Sequence, residues 1–208
     1  MLIVIPAALL AISFHEMAHG WSAYMLGDPT ARNAGRLTIN PLDHIDPIGF
    51  LCILVAGVGW AKPVPINPFY FKHRKRDIAL TALAGPAANI LLCFVGFFIA
   101  YGISFFTENR ILLAVAQFFM ITASISAGLA VFNLIPVPPL DGSKIIYPLL
   151  PNRIVAKIMP YEGPIRFVLL AVVFLGALDG VIGAGQSLVV RTAMRVCNRI
   201  FMAISGAF

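Results

Sequence analysis

Charge is scarce in this sequence. Lys and Arg number 15 and Asp and Glu 9 among 208 residues, and no polar stretch is long enough to fold as a separate soluble domain. With 60% hydrophobic residues and a mean hydropathy of +0.90, a soluble chain of this length could not bury its apolar surface. The composition therefore excludes an ordinary water-soluble domain and points to a polytopic membrane protein. Cysteine is also scarce. Cys52, Cys93 and Cys197 have apolar neighbours and no metal-like spacing, so they read as packing residues and imply no redox compartment. The net charge is +6, yet no basic stretch is interleaved with aromatics as a nucleic-acid groove requires. The excess reports topology and anionic lipid instead. No basic segment precedes the first apolar run, which sets aside a removable signal peptide. Internal repeats and low-complexity segments are absent.

What is present is a set of long apolar runs. The first spans about residues 2–26 and stops at Gly27-Asp28-Pro29. Further spans are expected at about 77–106, 111–132 and 164–182. Residues 47–60 are apolar but short of the roughly 20 needed to cross a bilayer, and they carry Gly49, Gly57 and Gly59. A re-entrant or surface-lying segment is expected there, extending to about residue 66. Pro63, Pro65 and Pro68 exclude a helix in the following stretch and favour extended, edge-like backbone. At the C-terminus Arg191, Arg195 and Arg199 recur every four residues. Residues 186–204 read either as a basic amphipathic helix at the lipid surface or as a final packing helix. The whole is one membrane-embedded domain over 1–208, an all-α polytopic membrane protein with about four to six membrane helices.

The chemistry lies inside the first run. His15, Glu16 and His19 form H-E-x-x-H. Four residues apart on a helix, the two imidazoles share a face and can reach one ion. Glu16 is one residue round the helix, placed to take a proton from a water held by that ion. The alternative is a pair of hydrogen-bonded core histidines, but three ionisable groups at one turn in an apolar run need a common reason. A catalytic zinc site takes three protein ligands. Asp141 and Asp179 are the other carboxylates at membrane depth. Asp141 is the better candidate because it follows the broken stretch 133–140, Asn-Leu-Ile-Pro-Val-Pro-Pro-Leu. Irregular backbone at that depth survives only when buried or lining a wet cavity. If 47–60 does not cross, the basic residues from Arg32 to Arg76 share one cytoplasmic loop, and Asp141 returns to the depth of His15. Asn133 could hold a substrate backbone or serve packing, and Gly85-Pro86 with Asn89 could serve close helix packing. His44 and His73 read as surface histidines.

His15-Glu16-x-x-His19, Gly85-Pro86-x-x-Asn89 and Asn133-x-x-Pro136-x-Pro138-x-Leu140-Asp141-Gly142 together resemble the site-2 protease family of intramembrane zinc metalloproteases. The stretch Gly59-Trp60-Ala61-Lys62-Pro63-Val64 resembles its compact bacterial branch, without PDZ or CBS domains. The resemblance implies one Zn2+ per chain on His15, His19 and Asp141, with Glu16 catalytic. It implies substrate contacts at Asn133, Asn89, Gly59 and Lys62, and a membrane-dipping β-hairpin near 57–66. The implied activity is hydrolysis of peptide bonds within the membrane-spanning segment of a single-span membrane-protein substrate. It implies a multi-pass protein of the cell membrane with its active site toward the cytoplasmic side. The rival reading is a non-proteolytic metal transporter or sensor. A transport path calls for a second carboxylate or histidine site, which the spans do not offer.

Overall fold

The computed structural model describes residues 3–56 and 60–205. Its first helix, α1 (Val4–Met25), buries Ala7, Ala11, His15, His19 and Ala23. That row recurs every four residues, so it forms one stripe along the helix. Three of its members are alanines, which let neighbouring backbones come close. The two histidines occupy the middle of this close-packed stripe. The helix ends at Gly27, whose φ of 106° only glycine adopts without strain.

Two one-turn helices follow, α2 (Thr30–Asn33) and α3 (Pro41–His44). Asp28 ties the loop down. Its carboxylate accepts from the backbone N–H of Thr30 at 2.9 Å and from that of Asn67 at 2.6 Å. The next helix, α4 (Pro47–Ala56), is about 15 Å long at 1.5 Å per residue, half a bilayer core. Beyond it, residues 60–67 run without helix, as the prolines require, with Ala61 in a β-bridge and Asn67 in extended backbone. The expected hairpin at 57–66 is not seen as strands. Residues 57–59, Gly59 among them, lie outside the described residues. Among those described, pairing is limited to one antiparallel bridge between Ile45 and Ala61. Pro63 and Pro65 have no N–H to extend a ladder.

The two longest apolar helices are α5 (Arg74–Phe106) and α6 (Arg110–Asn133), packed on each other and on α1. Gly96 lets them meet, since a Cβ there would stand 2.9 Å from the carbonyl oxygen of Phe119 and 3.0 Å from Ala123. At the start of α5, Asp77 accepts from the His73 N–H at 2.9 Å and from Arg76 at 2.8 Å, which caps the first turn. After α6 the chain is irregular over 134–140, then forms α7 (Asp141–Ile146). The remaining helices are α8 (Asn152–Ile158), α9 (Glu162–Phe174) and α10 (Asp179–Ser205).

Among the described residues two helices, α5 and α6, are long and apolar enough to cross a membrane, and a third crossing is available if the bent pair from Asn152 to Ala203 counts as one. Length and composition alone thus account for two or three of the four to six crossings expected. His15, Glu16 and His19 dilute the hydropathy of α1, although its length suffices. The span expected at 164–182 is broken. Its helix stops at Phe174, Gly176 takes a φ of 69°, and α10 starts at Asp179 after a bend of 77°. The C-terminal helix is therefore longer than the expected 186–204. It packs along α5 and α6, burying Ala193, Cys197 and Phe201.

Candidate metal centre

The helix spacing of α1 and the break before α7 bring three side chains to one point. His15 Nε2 lies 3.0 Å from Asp141 Oδ2, His19 Nε2 lies 3.1 Å from the same oxygen, and the two Nε2 atoms are 3.0 Å apart. All three residues are buried, at 5%, 7% and 7% exposure. They form the one cluster of metal-capable side chains among the described residues.

Proton bookkeeping tests whether a cation fits. His19 Nδ1 is 2.7 Å from the carbonyl oxygen of Thr81. A carbonyl only accepts, so Nδ1 carries the proton, and in neutral His19 the Nε2 lone pair faces the Asp141 carboxylate. Two acceptors at that distance repel unless a cation lies between them. His15 Nδ1 faces the Asn89 amide at 3.1 Å. Placed with Nδ2 toward the ring, that amide leaves Asn89 Oδ1 buried without a partner. Turned over, Oδ1 accepts from His15 Nδ1–H, and the His15 Nε2 lone pair then also faces the cluster. Zinc bonds of about 2.0 Å in tetrahedral geometry separate ligand atoms by roughly 3.3 Å, close to the spacing here. The residues fit a small divalent ion.

Gly85 explains how α5 reaches the cluster. A Cβ on it would stand 2.5 Å from His19 Nε2 and 2.6 Å from His15 Cε1, so the backbone of α5 lies directly over the imidazoles. One turn on, Asn89 sits on the same face, 0% exposed. The contact it makes is therefore with His15, whose ring its amide is placed to orient. Asn89→Ala is expected to weaken affinity for Zn2+ about 10- to 100-fold, measured by competition with a chelator. Unchanged affinity would reduce Asn89 to packing.

Gly142 performs a similar service for Asp141. Its Cβ would lie 2.4 Å from the carbonyl oxygen of Leu134 and 2.5 Å from that of Ile135, so α7 starts hard against the end of α6. The second Asp141 oxygen, Oδ1, is 3.8 Å from Lys144 Nζ, a loose and half-exposed pair that adds little.

The cluster opens into a cavity of about 560 Å³ whose wall includes Glu16, Ala61, Pro63, Asn133 and Tyr147. Glu16 Oε2 accepts from the Val64 backbone N–H at 2.9 Å, so the extended segment fixes this carboxylate. Asn133 Nδ2 donates to the Leu129 carbonyl at 3.0 Å. Lys62 does not reach the cavity wall. Its side chain is exposed, and its backbone is held from behind, the N–H by the His44 carbonyl at 2.9 Å and the carbonyl by Arg36 Nη2 at 2.7 Å. His44, expected at the surface, is 1% exposed, because its ring bonds the Thr38 carbonyl at 2.7 Å beneath this segment. His73 is exposed as expected. Nothing in the local sequence marks Arg36 or His44 for this role, since their partners lie up to 26 residues away.

Sequence reasoning also missed Tyr147 and Glu162 at the cavity mouth, where the phenol donates to Glu162 Oε1 at 3.2 Å. Burial and the neighbouring Glu162 carboxylate push the Tyr147 phenol above its ordinary value, so it stays a donor at neutral pH.

Among known proteins, the family description "Peptidase family M50" matches residues 101–178. A Bacillus subtilis (strain 168) protein named "Putative zinc metalloprotease YwhC" is 42% identical over 176 residues, covering 81% of this chain and 80% of that protein. "Putative zinc metalloprotease Rip2" of Mycolicibacterium smegmatis is 30% identical over 151 residues, 68% of this chain and 54% of that one. "Putative zinc metalloprotease MJ0611" of Methanocaldococcus jannaschii is 33% identical over 99 residues, about half of each chain. No solved structure matches. The likeness to the Bacillus protein runs through four-fifths of both chains, and on that ground the chain belongs to peptidase family M50, the site-2 protease family that its three motifs resemble.

Proposed function

We propose that the chain is a zinc-dependent endopeptidase that hydrolyses peptide bonds within membrane-spanning segments of other membrane proteins. The observation that carries this reading is the meeting of His15, His19 and Asp141 within 3.1 Å on one wall of the cavity that Glu16 also lines. Relatives named as zinc metalloproteases support the choice of metal. The described residues hold no second cluster of this kind, which favours a protease over a metal-transport path.

In this reading α1, α5 and α6 cross the bilayer, α9 and α10 form a broken fourth crossing, and α4 lies at or re-enters the surface. Lys72, Arg74, Lys75 and Arg76 at the start of α5 put that end, and the active site beside it, toward the cytoplasm. His15, His19 and Asp141 hold the zinc, with Asn89, Thr81 and Gly85 setting the two rings. Bound zinc would supply a Lewis acid for the scissile carbonyl and lower the pKa of a water beside it. Glu16 takes the proton of the attacking water and returns it to the leaving amine.

The substrate needs unwound backbone, because a helical peptide carbonyl is already bonded within its own helix. The extended segment can receive it. Lys62 turns its N–H and carbonyl toward Arg36 and His44, so the alternation of extended backbone turns those of Ala61 to the cavity side. A substrate strand added there would bond to Ala61. On its far side, Asn133 has its side-chain oxygen free for a substrate N–H.

Metal analysis of the purified chain tests the centre. About one zinc per chain is expected in the wild type, with little in Asp141→Ala, together with cleavage of a reconstituted single-span substrate by the wild type alone. Full zinc retention by Asp141→Ala would overturn the ligand set, and a fully loaded wild type that cleaves no membrane segment would overturn the substrate class.

A further inference from the structure

The outward side of α10 is at odds with where that helix lies. Its inner face packs on α5 and α6, with Ala193 and Cys197 in one cluster with Cys93, Phe97, Ala123 and Ala127. Gln186 donates to the Ser124 carbonyl at 2.9 Å, and the Phe201 ring is 5.3 Å from that of Phe98. The uncharged run of α6, residues 111–132, is about 33 Å long at 1.5 Å per residue. It matches a hydrocarbon layer of about 30 Å and puts Ala123 near its middle. Arg191, Arg195 and Arg199 sit on the opposite side of the same turns of α10, all exposed. Arg191 folds back on Ser187, to its carbonyl at 3.0 Å and its hydroxyl at 3.1 Å. Arg195 and Arg199 have no hydrogen-bond or ion-pair partner among the described residues. Thr192 and Asn198 extend the polar strip.

Arginines facing lipid at mid-depth are among the costliest placements in a membrane protein, and those observed face a bundle interior, a counter-charge or water. Headgroups do not account for these three. The guanidinium stems span about 12 Å of helix axis, whereas each headgroup layer is roughly 5–8 Å thick and lies beyond the hydrocarbon. A second copy does not account for them either. The chain has no acidic residue between Asp77 and Glu108 or between Arg110 and Asp141, and α10 holds only Asp179 at its far end. A twin joined through this same face would therefore bring arginine against arginine.

We propose that the outward face of α10 is a docking surface for a membrane-spanning helix of another protein that carries carboxylates near the middle of its apolar stretch. Two such residues one turn apart would match the spacing of Arg195 and Arg199. This surface is independent of the metal centre and of the activity assigned to it.

The test uses the full chain in phosphatidylcholine vesicles with a labelled synthetic leucine-alanine helix bearing two aspartates four residues apart at its centre. The control peptide has leucine at both positions. Energy transfer between labelled chain and peptide is expected to show at least tenfold tighter association of the acidic peptide. The preference should vanish in Arg191→Gln/Arg195→Gln/Arg199→Gln and persist in the corresponding triple lysine variant, with equal metal content in all three proteins. Equal association of both peptides, or a preference that survives the glutamine variant, would overturn the proposal. Loss of the preference in vesicles containing phosphatidylglycerol would assign the arginines to lipid headgroups and overturn it as well.

Discussion

Glu16→Gln is expected to bind metal like the wild type and to cleave a membrane-spanning substrate at least about 100-fold more slowly, the lower end of what a positioned general base contributes. The geometry separates the two properties. Glu16 is not among the three side chains that converge within 3.1 Å, which are His15, His19 and Asp141. Its Oε2 instead accepts from the Val64 N–H at 2.9 Å. A glutamine keeps the size and an acceptor oxygen for that N–H, so the extended segment stays in place. What it loses is the capacity to take a proton and give it back. Elemental analysis and a cleavage assay on the same preparation check both halves. Undiminished cleavage by a fully loaded Glu16→Gln enzyme would remove Glu16 from the chemistry.

Gly85→Ala is expected to abolish metal binding and activity together while leaving the helices formed. The added methyl carbon would stand 2.5 Å from His19 Nε2 and 2.6 Å from His15 Cε1, well inside contact distance. Neither side can yield cheaply. The rings are held from behind by Thr81 and Asn89, and α5 is packed against both α1 and α6. The rings must therefore rotate off the common point, or the helices must part. Circular dichroism and metal content of Gly85→Ala, beside Gly180→Ala, where a Cβ meets nothing within 4 Å, separate a local clash from a general effect of alanine. Normal metal content in Gly85→Ala would mean that the helices part easily at this crossing.

Much of the site is legible in the amino-acid sequence because its parts are short-range patterns. His15 and His19 share a face because a helix repeats every 3.6 residues, and the same period places Ala7, Ala11 and Ala23 in their row. Asp141 stands out because an acidic residue after three prolines in an apolar setting needs a partner. The helix-free run 60–67 follows from missing N–H groups. Other features escape such reading because apolar character does not report direction or partners. Leu175, Ala177 and Leu178 continue the apolar run of α9, so hydropathy does not register the turn at Gly176. Asn89 does not reveal its contact with His15 until α1 is laid beside it. His44 looks like a loop residue until Arg36, Thr38 and Lys62 close over it.

Composition and short-range pattern suffice for the membrane class, the helical placement of His15, Glu16 and His19, and the candidacy of Asp141, since each depends on composition or on neighbours within a turn or two. The three-dimensional fold is what shows that these groups meet, that Asn89 bonds to His15, and that α10 lies along the bundle with its arginines outward. Those outcomes rest on contacts between residues about 60 to 126 positions apart, set by which small residues allow two helices to approach. No local pattern encodes a choice of partner.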